Sequence, residues 1–232
     1  MSNYACADLH GNYKIWEKIK NYCKPEDTIY CLGDVIDRGA EGIKILEEIF
    51  NDPRVILLKG NHEDMLTICV PEFLEGDFTN MFWWYGNGGN VTYTALSYKT
   101  NEEQLELVNK LKSLPTNIWF NSEKGHSIFL SHAGTDLAFS ERELILRGRD
   151  DPYLWDRKHF LASHPASMEN IYQVHGHTPV QLLSEEHLWI PRTDNVLTYC
   201  DGHKIDIDLG TAWTNRAALI DLDTFEIKYF EV

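Results

Sequence analysis

Three short apolar segments near the start of the chain each run into a turn that contains glycine and polar side chains. Residues 4–7, 28–32 and 54–59 are predicted strands, and stretches with apolar side chains at helical spacing separate them. This β-α-β-α-β alternation favours a mostly parallel sheet with all three turns at its carboxyl edge. Open α/β sheets bind ligands at that edge, so we expect a functional site there.

The second turn, which follows Gly33, carries the most charge. Asp34, Asp37 and Arg38 come directly after a strand that is apolar enough to be buried on both faces. A protein interior does not hold two carboxylates in such a place without a compensating positive charge, either a cation or the arginine. We therefore predict that Asp34 bridges two metal ions and that Asp37 and Arg38 serve the reaction. Taken alone, the same pattern is typical of a capped strand-to-helix turn with a surface salt bridge.

The first and third turns supply further candidate ligands. Asp8 and His10 are two positions apart, which puts both side chains on the same side of an extended chain. A carboxylate and an imidazole suit a metal that accepts oxygen and nitrogen ligands. In the third turn, Asn61 offers an amide oxygen to a hard divalent ion, or else caps the helix that follows. His62 is either a reactive group or a polar surface residue.

The composition indicates one sizeable domain, residues 1–232, with 43% hydrophobic residues available for its core. A net charge of −15 and an isoelectric point near 5.0 exclude a general nucleic-acid or membrane-surface binder, since both surfaces would repel the chain. A phosphorylated substrate would need local cations. No segment has the pattern of a membrane span or a signal peptide, which favours a cytoplasmic location. The five scattered cysteines predict neither a disulfide frame nor a zinc-thiolate site.

The second half of the chain is predicted to form a second sheet. Its candidate strands are short and rich in β-branched or aromatic residues, and they cover residues 117–120, 126–131, 171–174, 205–209, 216–222 and 225–230. His132 and His177 lie at the ends of two of these strands and are candidate ligands. We expect His175 to be structural. The other histidines of this half are expected to be satisfied surface residues: His126, His159, His164, His187 and His203.

Five motifs, in order along the chain, resemble the signature motifs of a known enzyme family. They are Asp8-x-His10-Gly11, Gly33-Asp34-x-x-Asp37-Arg38-Gly39, Gly60-Asn61-His62-Glu63, Ser131-His132-Ala133-Gly134 and Gly176-His177-Thr178-Pro179. The family is the PPP-type serine/threonine phosphatases of the calcineurin-like metallophosphoesterase superfamily, in its lambda-phosphatase-like bacterial branch. One departure is Ala7, which stands where the family usually has glycine. The resemblance implies an α/β/β/α sandwich, in which two mixed sheets are flanked by helices.

The residue types, together with this resemblance, imply two metal sites that share one carboxylate. Asp8, His10 and Asp34 would hold one ion, and the other would be held by Asp34, Asn61, His132 and His177. Oxygen and nitrogen ligation without cysteine suggests Mn²⁺, Fe or Zn²⁺, and the resemblance favours Mn²⁺. A water between two such ions loses a proton near neutral pH, which makes it the expected nucleophile.

Four further residues are predicted to act on the substrate. Arg38 and Arg157 would bind phosphoryl oxygens, because a guanidinium binds phosphate bidentately and stays charged. Arg157 is assigned because the Trp155-Asp156-Arg157 triplet resembles the second phosphate-binding arginine of the family. His62, oriented by Asp37, would protonate the departing alkoxide.

Residues 76–100 are expected to form an insertion rich in aromatic side chains. Within it, Trp84-x-x-Asn87-Gly88-Gly89 resembles an element of bacterial family members, which implies a lid or a substrate wall beside the metals. The alternative is that Phe82, Trp83 and Trp84 pack a satellite core.

The predicted function is hydrolysis of phosphomonoesters, most of all phosphoserine and phosphothreonine in proteins, by direct attack of a hydroxide that bridges the metals. An alternative in the same superfamily is a dinucleoside polyphosphate hydrolase, in which Trp83, Trp84 or Tyr85 stacks a base. A third hypothesis, a catalytically silent phosphate-binding regulatory module, is disfavoured by the complete ligand set. The expected partner is thus a phosphorylated protein or a small phosphorylated molecule. Arg147 and Arg149 either steer it or lie in solvent.

Overall fold

The computed structural model describes residues 1–147, 151–162 and 168–232. The strands are β1 (Asn3–Cys6), β2 (Thr28–Cys31), β3 (Val55–Leu57), β4 (Asn117–Asn121), β5 (Ser127–Ser131), β6 (Ile171–His175), β7 (Leu197–Tyr199), β8 (Lys204–Asp206), β9 (Arg216–Asp221) and β10 (Ile227–Glu231). The helices are α1 (Tyr13–Tyr22), α2 (Gly42–Asn51), α3 (Asn61–Leu74), α4 (Met81–Gly86), α5 (Gly89–Leu96), α6 (Asn101–Lys112), α7 (Glu141–Leu146), α8 (Val180–Leu182) and α9 (Thr211–Thr214), and a π-helical turn covers Leu183–His187.

The first sheet has the strand order β10-β9-β1-β2-β3. β1, β2 and β3 run parallel, with Ala5 opposite Tyr30 and Cys31 opposite Leu57. α1 and α2 make the two crossovers, and each buries an apolar face that includes Trp16 on α1 and Leu46 on α2. The parallel β-α-β-α-β unit that the sequence predicts is therefore confirmed, and the three turns share one edge of the sheet.

Two late strands complete the first sheet instead of the second, so their predicted placement was wrong. β9 pairs antiparallel with β1, with Ala5 opposite Ile220, and β10 pairs antiparallel with β9. Along β9, Ala217 and Leu219 pack into the core beneath the helices, whereas Ala218 and Ile220 pack into the core between the sheets. A strand that is apolar on both faces fits either sheet, and its partner is decided only by tertiary pairing.

The second sheet has the strand order β4-β5-β6-β8-β7. β5, β6 and β8 are parallel, while β4 and β7 are antiparallel edge strands. β7 had not been predicted. Its three residues at Leu197–Tyr199 are too short for the alternation of apolar and polar side chains to stand out.

The two sheets face each other across a shared apolar layer. Side chains from both sheets meet there, including Ile220 from the first sheet and Leu130 and Val174 from the second. A second layer lies between the first sheet and its helices and contains Trp16 and Trp84, the largest fully buried side chains. Two mixed sheets flanked by helices confirm the predicted α/β/β/α sandwich. Among the described residues, no helix has the length and hydropathy needed to cross a membrane.

Candidate active site

The turns after β1 and β2 are joined by backbone hydrogen bonds. Asp8 N donates to Gly33 O at 3.1 Å, and His10 N donates to Asp34 O at 2.9 Å. Asp8, His10 and Asp34 have φ values of 53°, 42° and 55°, in the left-handed region that costs energy for residues other than glycine. The two turns therefore form one rigid unit, in which backbone strain directs three polar side chains to the same place.

Glu63 ties the turn after β3 to the same unit. Its carboxylate, which has no exposed surface, accepts hydrogen bonds from the backbone N–H of Asp34 (2.8 Å), Val35 (2.9 Å) and Gly60 (2.9 Å). Gly60 is needed here because a Cβ atom at that position would overlap Asp34 Oδ1. Sequence reasoning quoted Glu63 within its motif but assigned it no role. The sequence did carry a signal for this role, because Glu63 stands three residues after Gly60, the N-cap of α3, as in a capping box.

Asp34 lies at the centre of two groups of possible ligands. One group contains His10, Asp34 and His62, the other contains Asp34, His132 and His177, and all members are buried. Asp34 Oδ2 lies 3.4 Å from His132 Nε2, 3.7 Å from His62 Nε2 and 3.8 Å from His10 Nε2. Burial alone would raise the pKa of Asp34, but charge on the surrounding histidines holds it well below its ordinary value. Asp34 is thus ionised and is the residue that both groups share.

Two of the histidines are oriented by backbone carbonyls. His10 Nδ1 bonds to Ile36 O at 2.9 Å, and His132 Nδ1 bonds to Leu32 O at 2.8 Å. In His10, the nitrogen opposite the one that donates to the carbonyl is Nε2, which keeps its lone pair and faces Asp34, whereas the Asp34 charge raises the pKa of His132. Burial lowers the pKa of His10 to about 3, so this imidazole is neutral. A neutral, oriented imidazole is the form that binds metals.

Asn61 faces the second group. Its Oδ1 lies 2.8 Å from His132 Nε2 and 2.9 Å from His177 Nδ1. α3 begins at Asn61, with Gly60 in the capping position, so the alternative in which Asn61 caps this helix is wrong. An amide oxygen and two imidazole nitrogens that converge within hydrogen-bonding distance present several lone pairs to one point. A divalent cation there would satisfy all of them.

Asp8, just after the end of β1, contacts the backbone of the second group. Its Oδ2 accepts a hydrogen bond from His177 N at 3.0 Å. Its Oδ1 is buried and has no hydrogen-bond partner within the part of the chain that the structure describes. Burial, reinforced by the nearby Asp208 carboxylate, raises the pKa of Asp8 well above its ordinary value. A buried, unpartnered carboxylate oxygen fits a site that holds a cation.

A further set of side chains lies next to Asp34 and consists of Asp37, His62 and Arg38. Asp37 Oδ2 lies 2.7 Å from His62 Nδ1, and both side chains are almost completely buried. Arg38 Nη2 lies 3.1 Å from His62 Nε2, and Arg38 Nη1 lies 2.8 Å from His10 Nε2. The Asp37 carboxylate therefore orients the imidazole, and the guanidinium lies at the mouth of the ligand cluster.

Arg157 lies in the connection between β5 and β6 of the second sheet. Its Nε donates to Thr178 Oγ1 at 3.0 Å, which directs the guanidinium towards the ligands. Next to it, the Trp155 ring meets the His177 ring edge-on at 6.0 Å and stacks with Trp83 at 5.9 Å. A cationic group and an aromatic wall thus stand on the same side of the cluster.

The structure brings every predicted site residue to one rim. These are the six predicted ligands Asp8, His10, Asp34, Asn61, His132 and His177, together with Asp37, Arg38, His62 and Arg157. Their roles as ligands and catalysts stay predictions. His62 falls in the first group of possible ligands, whereas Asp8 falls in neither of the two groups.

Other histidines and arginines lie elsewhere. His159 was expected at the surface, but it is fully buried, packed against Phe160 and His175, so that prediction was wrong. The spacing of a lone histidine carries no signal for burial. Arg147 lies over the Phe139 ring at 3.8 Å. Arg149 and His164 lie outside the described residues.

The sequence is similar to those of known proteins. The family model for calcineurin-like phosphoesterases matches residues 1–208. The chain is 28% identical over 176 residues to serine/threonine-protein phosphatase 2 of Salmonella typhimurium, covering 75% of this chain and 74% of that protein. It is 34% identical over 67 residues to the symmetrical bis(5'-nucleosyl)-tetraphosphatase of Wigglesworthia glossinidia brevipalpis, covering 27% of this chain and 25% of that protein.

The fold is also shared with solved structures. The cold-active protein-tyrosine phosphatase of a psychrophilic Shewanella species superposes with a TM-score of 0.63 at 17% identity, over 98% of this chain and 77% of that chain. The calcineurin-like family uses dinuclear metal ions, and the described residues contain two candidate groups for them. The chain therefore belongs to the calcineurin-like phosphoesterase family, as a phosphatase.

Proposed function

We propose that this phosphatase hydrolyses phosphoserine and phosphothreonine in proteins with the help of two divalent ions. The observation that carries the proposal is the shared position of Asp34 between two buried ligand groups, with a histidine–aspartate pair and two arginines at the same rim. One relative, matched over 74% of its length, is a serine/threonine-protein phosphatase, which supports this substrate class.

The residues present fit two cations. Asp8, His10 and Asp34 would hold one ion, and Asp34, Asn61, His132 and His177 would hold the other. When bound, such a pair supplies Lewis acidity towards a phosphoryl oxygen and lowers the pKa of water. The oxygen and nitrogen donors are compatible with Mn²⁺, which remains our prediction for the metal.

The protein groups around the ligands handle charge and protons. Arg38 and Arg157 bind the phosphoryl oxygens as charge accumulates on them in the transition state. A water-derived oxygen forms a bond to phosphorus, and the bond between phosphorus and the serine or threonine oxygen breaks in line. His62 Nε2 gives its proton to that departing oxygen, so the products are the free hydroxyl and inorganic phosphate. Asp37 stabilises the charged imidazole through its 2.7 Å contact with Nδ1.

A substrate panel tests the proposal. With Mn²⁺ added, kcat/KM is measured for a phosphoserine peptide, a phosphotyrosine peptide of the same flanking sequence, and diadenosine tetraphosphate. We expect the phosphoserine peptide to exceed each of the others by roughly tenfold or more. Asp34→Asn controls for contaminating phosphatases and should be inactive on all three. Faster hydrolysis of diadenosine tetraphosphate would overturn the substrate class, and no turnover of any phosphomonoester would favour the silent phosphate-binding module.

One observation favours a second candidate, hydrolysis of dinucleoside polyphosphates. Trp83 is 39% exposed and stacks with Trp155 beside His177, where a base would find an aromatic surface. Trp84 has no exposed surface and therefore cannot stack a base. If this candidate is correct, Trp83→Ala should raise KM for diadenosine tetraphosphate, whereas Phe82→Ala, at an exposed position next to it, should not. The cytoplasmic location expected from the sequence stays a prediction.

A further inference from the structure

We propose that Trp84 is a positioning residue for the general acid, and that the segment comprising α4 and α5 holds the residues on which the acid depends. The inference rests on the proposed role of His62 as proton donor. It goes further by assigning a task to a segment that contains none of the predicted ligands and none of the predicted catalytic residues.

The direct contact is a hydrogen bond between two buried side chains. Trp84 Nε1 donates to Asp37 Oδ2 at 2.8 Å, and the same oxygen lies 2.7 Å from His62 Nδ1. Neither Trp84 nor Asp37 has any exposed surface. A chain of buried hydrogen bonds therefore runs from the indole through the carboxylate to the imidazole.

The segment is built around this contact. A Cβ atom at Gly89 would overlap the Trp84 indole, so glycine is required for the ring to lie where it does. Thr92 Oγ1 accepts a hydrogen bond from Asp37 N at 2.9 Å, and Gly88 O accepts one from Arg38 N at 3.0 Å. Three separate bonds thus link the segment to Asp37 and Arg38, whose φ values of 67° and 66° need such support.

The indole matters because the carboxylate has few other partners. Asp37 Oδ1 is buried and has no hydrogen-bond partner within the described part of the chain, so the side chain is held by donors on Oδ2. Removing the indole N–H leaves one donor on that oxygen and allows the carboxylate plane to rotate. His62 would then lose the fixed direction in which its Nε2 points.

A purely structural role is the rival explanation, because Trp84 also belongs to the apolar layer beneath the helices. Trp16 provides a matched control. It is equally buried in the same layer, and its Nε1 donates at 3.1 Å to Glu48 Oε2, a carboxylate that is not one of the predicted site residues. Trp→Phe at either position removes one N–H and keeps an aromatic ring, but only Trp84 contacts Asp37.

The kinetic test compares two substrates that differ in their need for a proton. Trp84→Phe should lower kcat on phenyl phosphate roughly tenfold and change kcat on dinitrophenyl phosphate by about twofold or less, with KM nearly constant. Trp16→Phe should show no such difference between substrates. In a His62→Asn background, Trp84→Phe should cause no further loss on phenyl phosphate. Equal losses on both substrates, or an additive loss in the double variant, would overturn the inference.

The two proposals can fail separately. If His62→Asn itself lowers kcat equally on both substrates, the assignment of the acid is wrong. If His62→Asn shows the difference and Trp84→Phe does not, only the role of Trp84 is wrong.

A second measurement needs neither metal nor turnover. In metal-free protein labelled with ¹⁵N, the indole N–H of Trp84 should exchange with solvent slowly, and Asp37→Ala should accelerate this exchange roughly tenfold or more without changing that of Trp16. Exchange of the Trp84 N–H that is unaffected by Asp37→Ala would contradict the hydrogen bond on which the inference depends.

Discussion

The two sheets contribute to the site in different ways. The turns of the first sheet are held to one another, by backbone bonds from Asp8 to Gly33 and from His10 to Asp34 and by the Glu63 carboxylate. The ligands of the second sheet are held mainly by the first. His132 Nδ1 bonds to Leu32 O at 2.8 Å, and the backbone N–H of His177 donates to Asp8 Oδ2. The turns of the first sheet therefore form one side of the site by themselves, and the ligands of the second sheet complete it across the interface between the two sheets.

On the second sheet, a neutral glutamine side chain has the supporting role that the Glu63 carboxylate has on the first. Gln173, on β6, bonds to both backbone groups of Thr135 in the loop that follows His132, through Oε1 at 2.5 Å and Nε2 at 2.9 Å. Glu63 and Gln173 thus both support ligand-bearing loops, one through a carboxylate and the other through an amide. Hydrogen bonds to a charged group are worth more than those to a neutral one, so changes on the first sheet should cost more.

The largest effect on activity is expected at Asp34, which both ligand groups share. Asp34→Ala should remove ion binding at both sites and lower kcat/KM by at least about 10³-fold, because both ligand groups contain this carboxylate. His177→Ala, which affects the second group alone, should leave one ion bound. Metal content measured after dialysis checks both. If Asp34→Ala retained one tightly bound ion, the two groups would be independent.

A large effect on kcat that depends on the substrate is expected at His62. His62→Asn should keep both ions and lower kcat on alkyl or phenyl phosphates about 10²-fold, because the leaving oxygen then lacks its proton. Nitrophenyl phosphates, whose leaving group needs little protonation, should be affected less. Kinetics and metal content on the same preparation separate the two properties. A lost ion would instead indicate that His62 is a ligand, as its place in the first group permits.

Changes at the two supporting side chains should differ in their cost to stability, and the change at the charged Glu63 should cost more than the change at the neutral Gln173. Glu63→Gln should lower the free energy of unfolding by about 1–3 kcal/mol, because the NH₂ group of an amide cannot accept the backbone N–H bonds that the carboxylate oxygen it replaces accepts. Gln173→Ala should cost about 1 kcal/mol. Denaturant titration of both variants measures the difference. A greater cost at Gln173 would reverse the proposed order of the sheets.

The smallest effect is expected at Arg157. Thr178→Val removes the hydroxyl oxygen that accepts a hydrogen bond from Arg157 Nε and keeps the volume of the side chain. KM for a phosphomonoester should rise about threefold with kcat nearly unchanged, since the guanidinium keeps its charge but loses its fixed direction. Arg157→Lys should show a greater rise, which provides the reference. An unchanged KM in both variants would exclude Arg157 from phosphate binding.

Local pattern was sufficient for some elements and insufficient for others. β1, β2 and β3 and the turns after them were predicted because apolar runs, glycines and charged residues are neighbours in the sequence. β9 and β10 were placed in the wrong sheet because pairing with β1 joins residues far apart along the chain. The burial of His159 was missed for the same reason.

The roles of the supporting residues could not be predicted from local sequence patterns either. Glu63 was visible within its motif, yet its bonds reach back to the turn after β2. Trp84 was seen as part of an aromatic stretch, and nothing in its spacing pointed to Asp37. Gln173 and Thr178 had no distinguishing neighbours. A residue whose task is to hold another is recognised only by the contact itself.

The amino-acid sequence alone determined which chemical groups are available and at which strand ends they lie, because strand period, glycine turns and residue type are local properties. Tertiary structure decided that Asp34 is shared, that Trp84 and Glu63 act as supports, and that the late strands extend the first sheet. These features depend on which surfaces bury each other, and many pairings of similar apolar strands are compatible with one sequence pattern.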